Sequence, residues 1–240
     1  MVSRSRTSAA SEVDRVSTGV PGLDSLLGGY PKGKSVMVCG QAGTGKTILA
    51  LHFVNSRCSR GERTGYIAVE ETRDDLFDQA AQFGWDLKSY EDRDLLRTYP
   101  ILEERMVEAK YQYDSYSAER GFGGLIDLID RDIENVVIDN LGILALDMNL
   151  SHFRQQLDYL VFSLSKRRCT SMFICDETTM SKFGEVALYS VDGAIKLMKR
   201  NNPYTDSRER VLEVIKMRRT PTPVDYVTFD IGKGGIEIVP

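Results

Sequence analysis

Gly40–Thr47 reads GQAGTGKT, the pattern G-x-x-x-x-G-K-[ST] of a phosphate-binding P-loop. Gly40, Gly43 and Gly45 permit backbone angles that turn successive N–H groups onto one anion. A helix starting near Lys46 would aim its positive end at the same point. Lys46 adds a full charge that can reach the β- and γ-phosphates of a nucleotide, and the Thr47 hydroxyl suits Mg²⁺. The predicted nucleotide-binding set is therefore Gly40, Gln41, Ala42, Gly43, Thr44, Gly45, Lys46, Thr47 and Ile48.

Carboxylates at the ends of apolar runs are the next candidates. Arg63–Glu71 (RTGYIAVEE) reads as a strand that ends in Glu70 and Glu71. Ligands of open α/β sheets sit at strand C-termini, where a carboxylate can orient and deprotonate a water attacking the γ-phosphorus. Side chains alternate along a strand, so one of the pair is expected to face the nucleotide. A purely structural alternative has Glu71 capping the following helix. Glu134–Asn140 (ENVVIDN) is a second apolar strand ending in Asp139, the expected carboxylate on the Mg²⁺ side. Thr170–Cys175 is a third, followed by Asp176 and Glu177; these either sense the γ-phosphate or simply open a loop.

The elements around these residues follow from periodicity. Ser35–Cys39 (SVMVC) is a short apolar run suited to a buried parallel strand, and Ile48–Cys58 reads as a helix. Strand, glycine-rich loop and helix is the context that the P-loop pattern requires. Pro21 and Gly22 predict a turn, Leu23–Leu27 a short helix, and Gly28-Gly29 its end. Helices are also expected over Asp74–Phe83, Gly124–Arg131 and Ser151–Lys166, the last with Ser151 as N-cap, and a strand over Leu95–Leu102. Thr178–Tyr189 is expected to be a loop, and Glu103–Ala118 a surface excursion in which Tyr111, Tyr113 and Tyr116 are either a contact patch or ordinary surface residues. From Val191 onward, four strand-like runs (Ala194–Lys199, Arg208–Met217, Tyr226–Phe229 and Ile236–Val239) leave little room for helices. That spacing predicts hairpins, an antiparallel extension on a parallel sheet. Lys216, Arg218 and Arg219 form a basic cluster there, either a solvated edge or a finger that reaches a neighbour's γ-phosphate.

Bulk properties bound the function classes. A length of 240 residues suits one large α/β domain or two small ones, and 42% hydrophobic with 28% charged residues suits a globular chain with a core. A net charge of −4 carries no electrostatic footprint for nucleic acid or anionic membrane. Apolar runs are too short for a membrane span, and the N-terminus has no signal-peptide pattern. Residues 1–15 are expected to be a disordered tail and 16–240 the folded domain. Cys39, Cys58, Cys169 and Cys175 lack C-x-x-C spacing, which suits a reducing cytoplasm. His52 and His152 are far apart and lack cysteine neighbours, so metal binding by them is not expected; His52 reads as a helix residue at the core edge.

With these pieces in order, the chain resembles a single KaiC-like domain of the RecA superfamily over roughly Val16 to Pro240. TGVPGLDSLLGGYPKGK looks like the family's opening segment, GQAGTGKT its Walker A, YIAVEET its catalytic-glutamate strand, QFGWDL the helix end that follows, VVIDN its Walker B and IKMRRT its KxRGT. The resemblance implies an α/β, RecA-like P-loop NTPase: a mostly parallel central sheet flanked by helices, with the C-terminal antiparallel extension. It implies an ATPase that binds Mg²⁺-ATP between subunits of a homo-oligomeric ring, usually a hexamer; the leading functional reading is a slow, nucleotide-switched regulator, for which an unidentified protein partner is one option. By family pattern Glu70, Glu71 and Lys46 serve catalysis, Thr47 and Asp139 the metal, Gln82 the neighbourhood of the base, and Lys216 and Arg218 the nucleotide of the adjacent subunit. Arg219 stands where the family commonly has Gly, and Gly232-Lys233-Gly234 replaces its T-D-x-G. No match to the phosphorylated Ser-Thr pair of the clock protein occurs in Lys182–Ser190, so an autokinase role does not follow.

Two other functions compete. A recombinase-type DNA-binding ATPase would share this core, but the loops after the Walker B strand and the strand beyond offer one lysine, Lys182, against Asp147 and Glu185. A non-hydrolysing, ATP-dependent scaffold would keep the P-loop and lose the carboxylates; Glu70, Glu71 and Asp139 are all present.

Overall fold

Parallel strands buried on both faces read as continuous apolar runs, and the central strands of this sheet do. The computed structural model describes residues 13–101, 121–202 and 207–239. The short β1 (Arg15–Val16) pairs antiparallel with β2 (Tyr30–Pro31) and lies outside the main sheet. Helix α1 (Pro21–Leu27) intervenes and takes Pro21 into its first turn, where a missing N–H costs nothing.

The main sheet starts with β3 (Ser35–Gly40), every residue of which is buried. Helix α2 (Lys46–Cys58) leads to β4 (Thr64–Ala68). Helices α3 (Arg73–Ala81) and α4 (Leu87–Asp92) lead to β5 (Leu96–Pro100). Then come α5 (Gly123–Leu128), β6 (Asn135–Asp139), α6 (Leu150–Lys166), β7 (Thr170–Asp176) and α7 (Glu177–Ser190). The chain closes with β8 (Gly193–Asn201), β9 (Arg208–Met217), β10 (Val227–Gly232) and β11 (Gly235–Ile238). The nine strands lie in the order β11-β10-β9-β8-β3-β7-β6-β4-β5. Pairings from β8 through β3 to β5 are parallel; β8–β9, β9–β10 and β10–β11 are antiparallel. This is the α/β fold expected, with its antiparallel extension on one edge.

Strand alternation divides the core in two. Val36 and Val38 of β3 pack with Leu49 and Phe53 of α2, Leu76 of α3 and Phe229 of β10. Met37 and Cys39 pack on the other face with Leu125 of α5, Phe153 of α6 and Phe183 of α7. The layering brings the C-terminal ends of β3, β4, β6 and β7 to one edge, where the P-loop and the carboxylates emerge.

Several boundaries differ from expectation, each for a local reason. Thr178–Tyr189 is not a loop but most of α7. Asp176 caps it by accepting the Thr179 N–H at 2.7 Å, and Phe183 and Ala187 bury one face; Gly184 in mid-helix had disguised the period. The cap of α6 is Asn149, which accepts the His152 N–H at 2.9 Å, rather than Ser151. The cap of α3 is Thr72, which removes that task from Glu71. Strand β4 stops at Ala68, so Glu70 and Glu71 lie in the turn beyond it. Helix α4 and a 3-10 turn at Leu141–Ala145 have no counterpart in the periodicity reading. Arg15, assigned to the tail, is instead in β1 and donates to the carbonyls of Leu27 and Gly29. Residues 1–12 and the excursion with Tyr111, Tyr113 and Tyr116 lie outside the described residues.

Candidate nucleotide site

The P-loop conformation needs its glycines. Gly40 has φ 146°, and a Cβ there would meet the Leu197 carbonyl oxygen at 2.1 Å. Gly45, at φ 105°, is the left-handed N-cap residue of α2, so the loop enters the helix with no side chain in the cradle. Thr44 is buried and donates its hydroxyl to the Gln41 carbonyl at 2.8 Å, while Gln41, Ala42 and Gly43 are exposed. Lys46 Nζ donates to the carbonyls of Gly40 (2.8 Å) and Gln41 (2.9 Å), folded along the loop that it would serve.

Thr47, one residue further, donates its hydroxyl to Asp139 Oδ2 at 2.8 Å. Asp139 ends β6, two strands from β3 with β7 between them. Tyr66 of β4 donates its phenol to the same Oδ2, also at 2.8 Å. A cavity of about 40 Å³ is lined by Thr47, Tyr66, Ala68, Glu70, Glu71 and Asp139. A larger one of about 460 Å³ shares Thr47 and Glu71 with it and adds Gly43, Gly45, Lys46, Ile48, Gln79, Arg210 and Ile231. The P-loop and the carboxylates at the strand ends thus meet in one cleft.

Burial and crowding of carboxylates raise the proton affinity of the cleft's acids. Burial pushes the Asp139 carboxyl up, against the Thr47 and Tyr66 hydrogen bonds and the Lys46 charge that pull it down. Burial also raises Glu71, reinforced by the negative charges of Asp139, Asp75 and Glu70. A carboxylate raised in this way is a stronger proton acceptor than a solvated glutamate. Glu70 is exposed and Glu71 half-buried, so the pair differ in setting.

Not all predicted residues arrive here. Gln82 sits exposed at the C-cap of α3, outside the cavity lining; Gln79, about one turn earlier, lines it instead. Lys216 and Arg218 lie at the other end of the sheet. The parallel register sets Gly40 beside Leu197, whereas Lys216 pairs with Ala194. Lys216 Nζ donates to the carbonyls of Leu188 and Val191, and Arg218 Nη2 to that of Tyr189 at 3.0 Å. Both therefore serve the C-terminus of α7, where carbonyls without helical partners attract cations. Asp176 is occupied by its cap and by Asn140, and Glu177 pairs with Lys196 at 3.6 Å. Lys182 donates to the Leu146 carbonyl.

A sequence profile of the family described as "ATPase: KaiC" matches residues 16–240. The chain belongs to the KaiC ATPase family. It is 26% identical over 242 residues to the circadian clock oscillator protein KaiC of Prochlorococcus marinus, covering 95% of this chain and 46% of that protein. It is 31% identical over 236 residues to the UPF0273 protein PH0284 of Pyrococcus horikoshii, covering 94% of each. The chain thus spans about half the length of the clock KaiC and nearly all of the archaeal protein. Among solved structures, the KaiC-like protein PH0186 of Pyrococcus horikoshii matches with a TM-score of 0.79 at 25% identity, covering 95% of this chain and all of that one.

Three residues of this KaiC-family cleft escape the sequence reading. Tyr66 is a lone phenol in an apolar strand; a buried tyrosine must place its hydroxyl, which was the available signal. Gln79 Oε1 and Arg210 Nε are buried without a partner at the cleft, a sign visible only in three dimensions.

Proposed function

We propose that the chain is a Mg²⁺-dependent ATPase, an oligomeric nucleotide-switched regulator with ATP at subunit interfaces. The observation that carries this is the convergence of Lys46, Thr47, Asp139 and Glu71 on one cleft. The residues fit the ligand. The glycine cradle leaves main-chain amides open to phosphate, and the orphaned polar atoms of Gln79 and Arg210 offer partners to the rest of a nucleotide. Thr47, Asp139 and Glu71 supply hard oxygen donors. Among the described residues no group of three or more His, Cys, Asp or Glu forms a metal cage. Nucleotide-bound Mg²⁺ needs none, because phosphates and water complete its shell.

In this reading Lys46 leaves its two carbonyls for the phosphates. Thr47 and Asp139 hold the metal side, and Glu71 accepts the proton of the attacking water. When bound, Mg²⁺ would neutralise negative charge on the phosphoryl oxygens. Lys216 stands roughly 20 Å along β9 from Arg210, which lines the cleft, and Arg218 lies just past the end of that strand. They would reach a nucleotide only if it belonged to a neighbouring chain, as the ring arrangement requires. Lys182, the one lysine of the two loops that a recombinase-type reading would need, is engaged with the Leu146 carbonyl, and a net charge of −4 does not favour DNA. No helix of the described residues is long and apolar enough to cross a membrane. The four buried free cysteines suit a reducing, cytoplasmic setting.

The test is steady-state hydrolysis of Mg²⁺-ATP by the wild type and Glu71→Gln, with assembly size measured in parallel. A loss of about 10²-fold or more in turnover, with the oligomer intact, is expected for removal of a general base. Unchanged turnover would reject the assignment.

A further inference from the structure

We infer that Tyr66 is a positioning residue of the metal site, anchoring Asp139 through one carboxylate oxygen. The inference rests on the Mg²⁺-ATP reading above. Tyr66 is 1% exposed, with its ring in the core beside α2, yet its hydroxyl lines the small cavity among three carboxylates. Asp139 Oδ2 accepts from Tyr66 and from Thr47, both at 2.8 Å. Among the described residues no donor reaches Oδ1.

Two donors on one oxygen fix the carboxylate's rotamer before any ligand arrives and leave the other oxygen unengaged. Thr47 can keep its proton on Asp139 while its lone pairs turn to a metal ion. Tyr66 has no such second duty; within this site it only holds. Outer partners of this kind set the orientation and affinity of a metal ligand without touching the ion.

The experiment uses the full chain and a fluorescent ADP analogue, titrated without Mg²⁺ and across a series of Mg²⁺ concentrations. Tyr66→Phe keeps the ring and removes one oxygen. Tyr99→Phe is the control: its phenol donates to Asp130 Oδ2, also at 2.8 Å, away from the cleft. Tyr66→Phe is expected to bind the analogue normally without Mg²⁺ but to need about tenfold more Mg²⁺ for the metal-dependent gain in affinity. Tyr99→Phe is expected to match the wild type in both. Wild-type Mg²⁺ dependence in Tyr66→Phe, or an equal shift in Tyr99→Phe, would overturn the inference and leave the metal reading standing. A wild type indifferent to Mg²⁺ would overturn the metal reading, and this inference with it.

Discussion

His52 Nε2 accepts the backbone N–H of Ile236 at 2.7 Å, tying the first helix after the P-loop to the last strand of the chain. Its Nδ1 then carries the proton and donates to the Gly19 carbonyl at 3.1 Å, and the ring packs edge-on against Trp85. One neutral imidazole therefore joins the opening segment, α2 and the C-terminal hairpin. Protonating it would place an N–H against the Ile236 N–H inside the core.

A pH dependence of stability follows. Burial lowers the folded pKa of His52 to about 4 from an ordinary 6.5, despite the Gly19 bond that favours the proton. Between these values the unfolded chain binds more protons, so stability is complete above about pH 6.5 and declines as pH falls toward 4. The full loss is on the order of 3 kcal/mol. Urea midpoints at pH 7 and pH 5 check this. His52→Gln is expected to be less stable at pH 7 and to show a flatter decline. A wild-type midpoint constant across that range would refute the assignment.

How much of this could be read from residues alone depends on whether the signal is local. Gly40–Thr47 and Asp139 are legible because a short motif at the end of an apolar strand has few other uses, and the strands place both at one sheet edge. Glu71 is legible as a candidate, but its separation from Glu70 needed the burial that only the turn after β4 creates. Tyr66 meets Asp139 through the register of β4 with β6, in which Ala68 pairs with Asp139; no spacing in the sequence encodes that. Gln82 missed the cleft because one helical turn separates it from Gln79, a difference finer than motif spacing resolves. Helix α7 is hidden in the sequence because its polar residues and Gly184 outweigh a stripe that is recognisable once Phe183 meets Phe153.

That contact makes the next prediction. The Phe153 and Phe183 rings stack with centroids 4.2 Å apart, and both side chains are buried. Phe183→Ala would leave a cavity between α6 and α7 and is expected to cost about 3 kcal/mol or more. Phe183→Leu should cost less than half of that, because volume is largely kept. Chemical denaturation of the two variants measures the difference. Equal, small losses would mean that α7 is not packed as described.

Arg219 adopts φ 57°, the left-handed region that glycine occupies readily. The turn is held from outside, for Arg15 donates to the Arg219 carbonyl at 2.9 Å and to the Thr220 hydroxyl at 2.7 Å. A glycine at this position would adopt the same conformation without the strain of a Cβ. Arg219→Gly is expected to be neutral or to stabilise by up to about 1 kcal/mol, while Arg219→Val should destabilise by about 1–2 kcal/mol. Thermal denaturation distinguishes them; a destabilised Arg219→Gly would show that the arginine side chain, not the turn, is what matters.

The location of Lys216 and Arg218 far from their own P-loop leads to a mixing experiment. Lys46→Ala should lose nucleotide affinity by about 10²-fold or more, since a charge-assisted contact to phosphate disappears. Its fold should survive, because Lys46 Nζ bonds only to carbonyls of the loop itself. Arg218→Ala should bind nucleotide but hydrolyse slowly. If the cation acts across a subunit boundary, a mixture of the two inactive variants forms some interfaces in which an intact Lys46 cradle faces an intact Arg218. Hydrolysis should then reappear at about a quarter of the wild-type level for random assembly of an equimolar mix, each competent boundary needing one intact group from each side. A mixture as inactive as its components would place both groups in service of a single chain, and Arg218 would then be only the cap of α7.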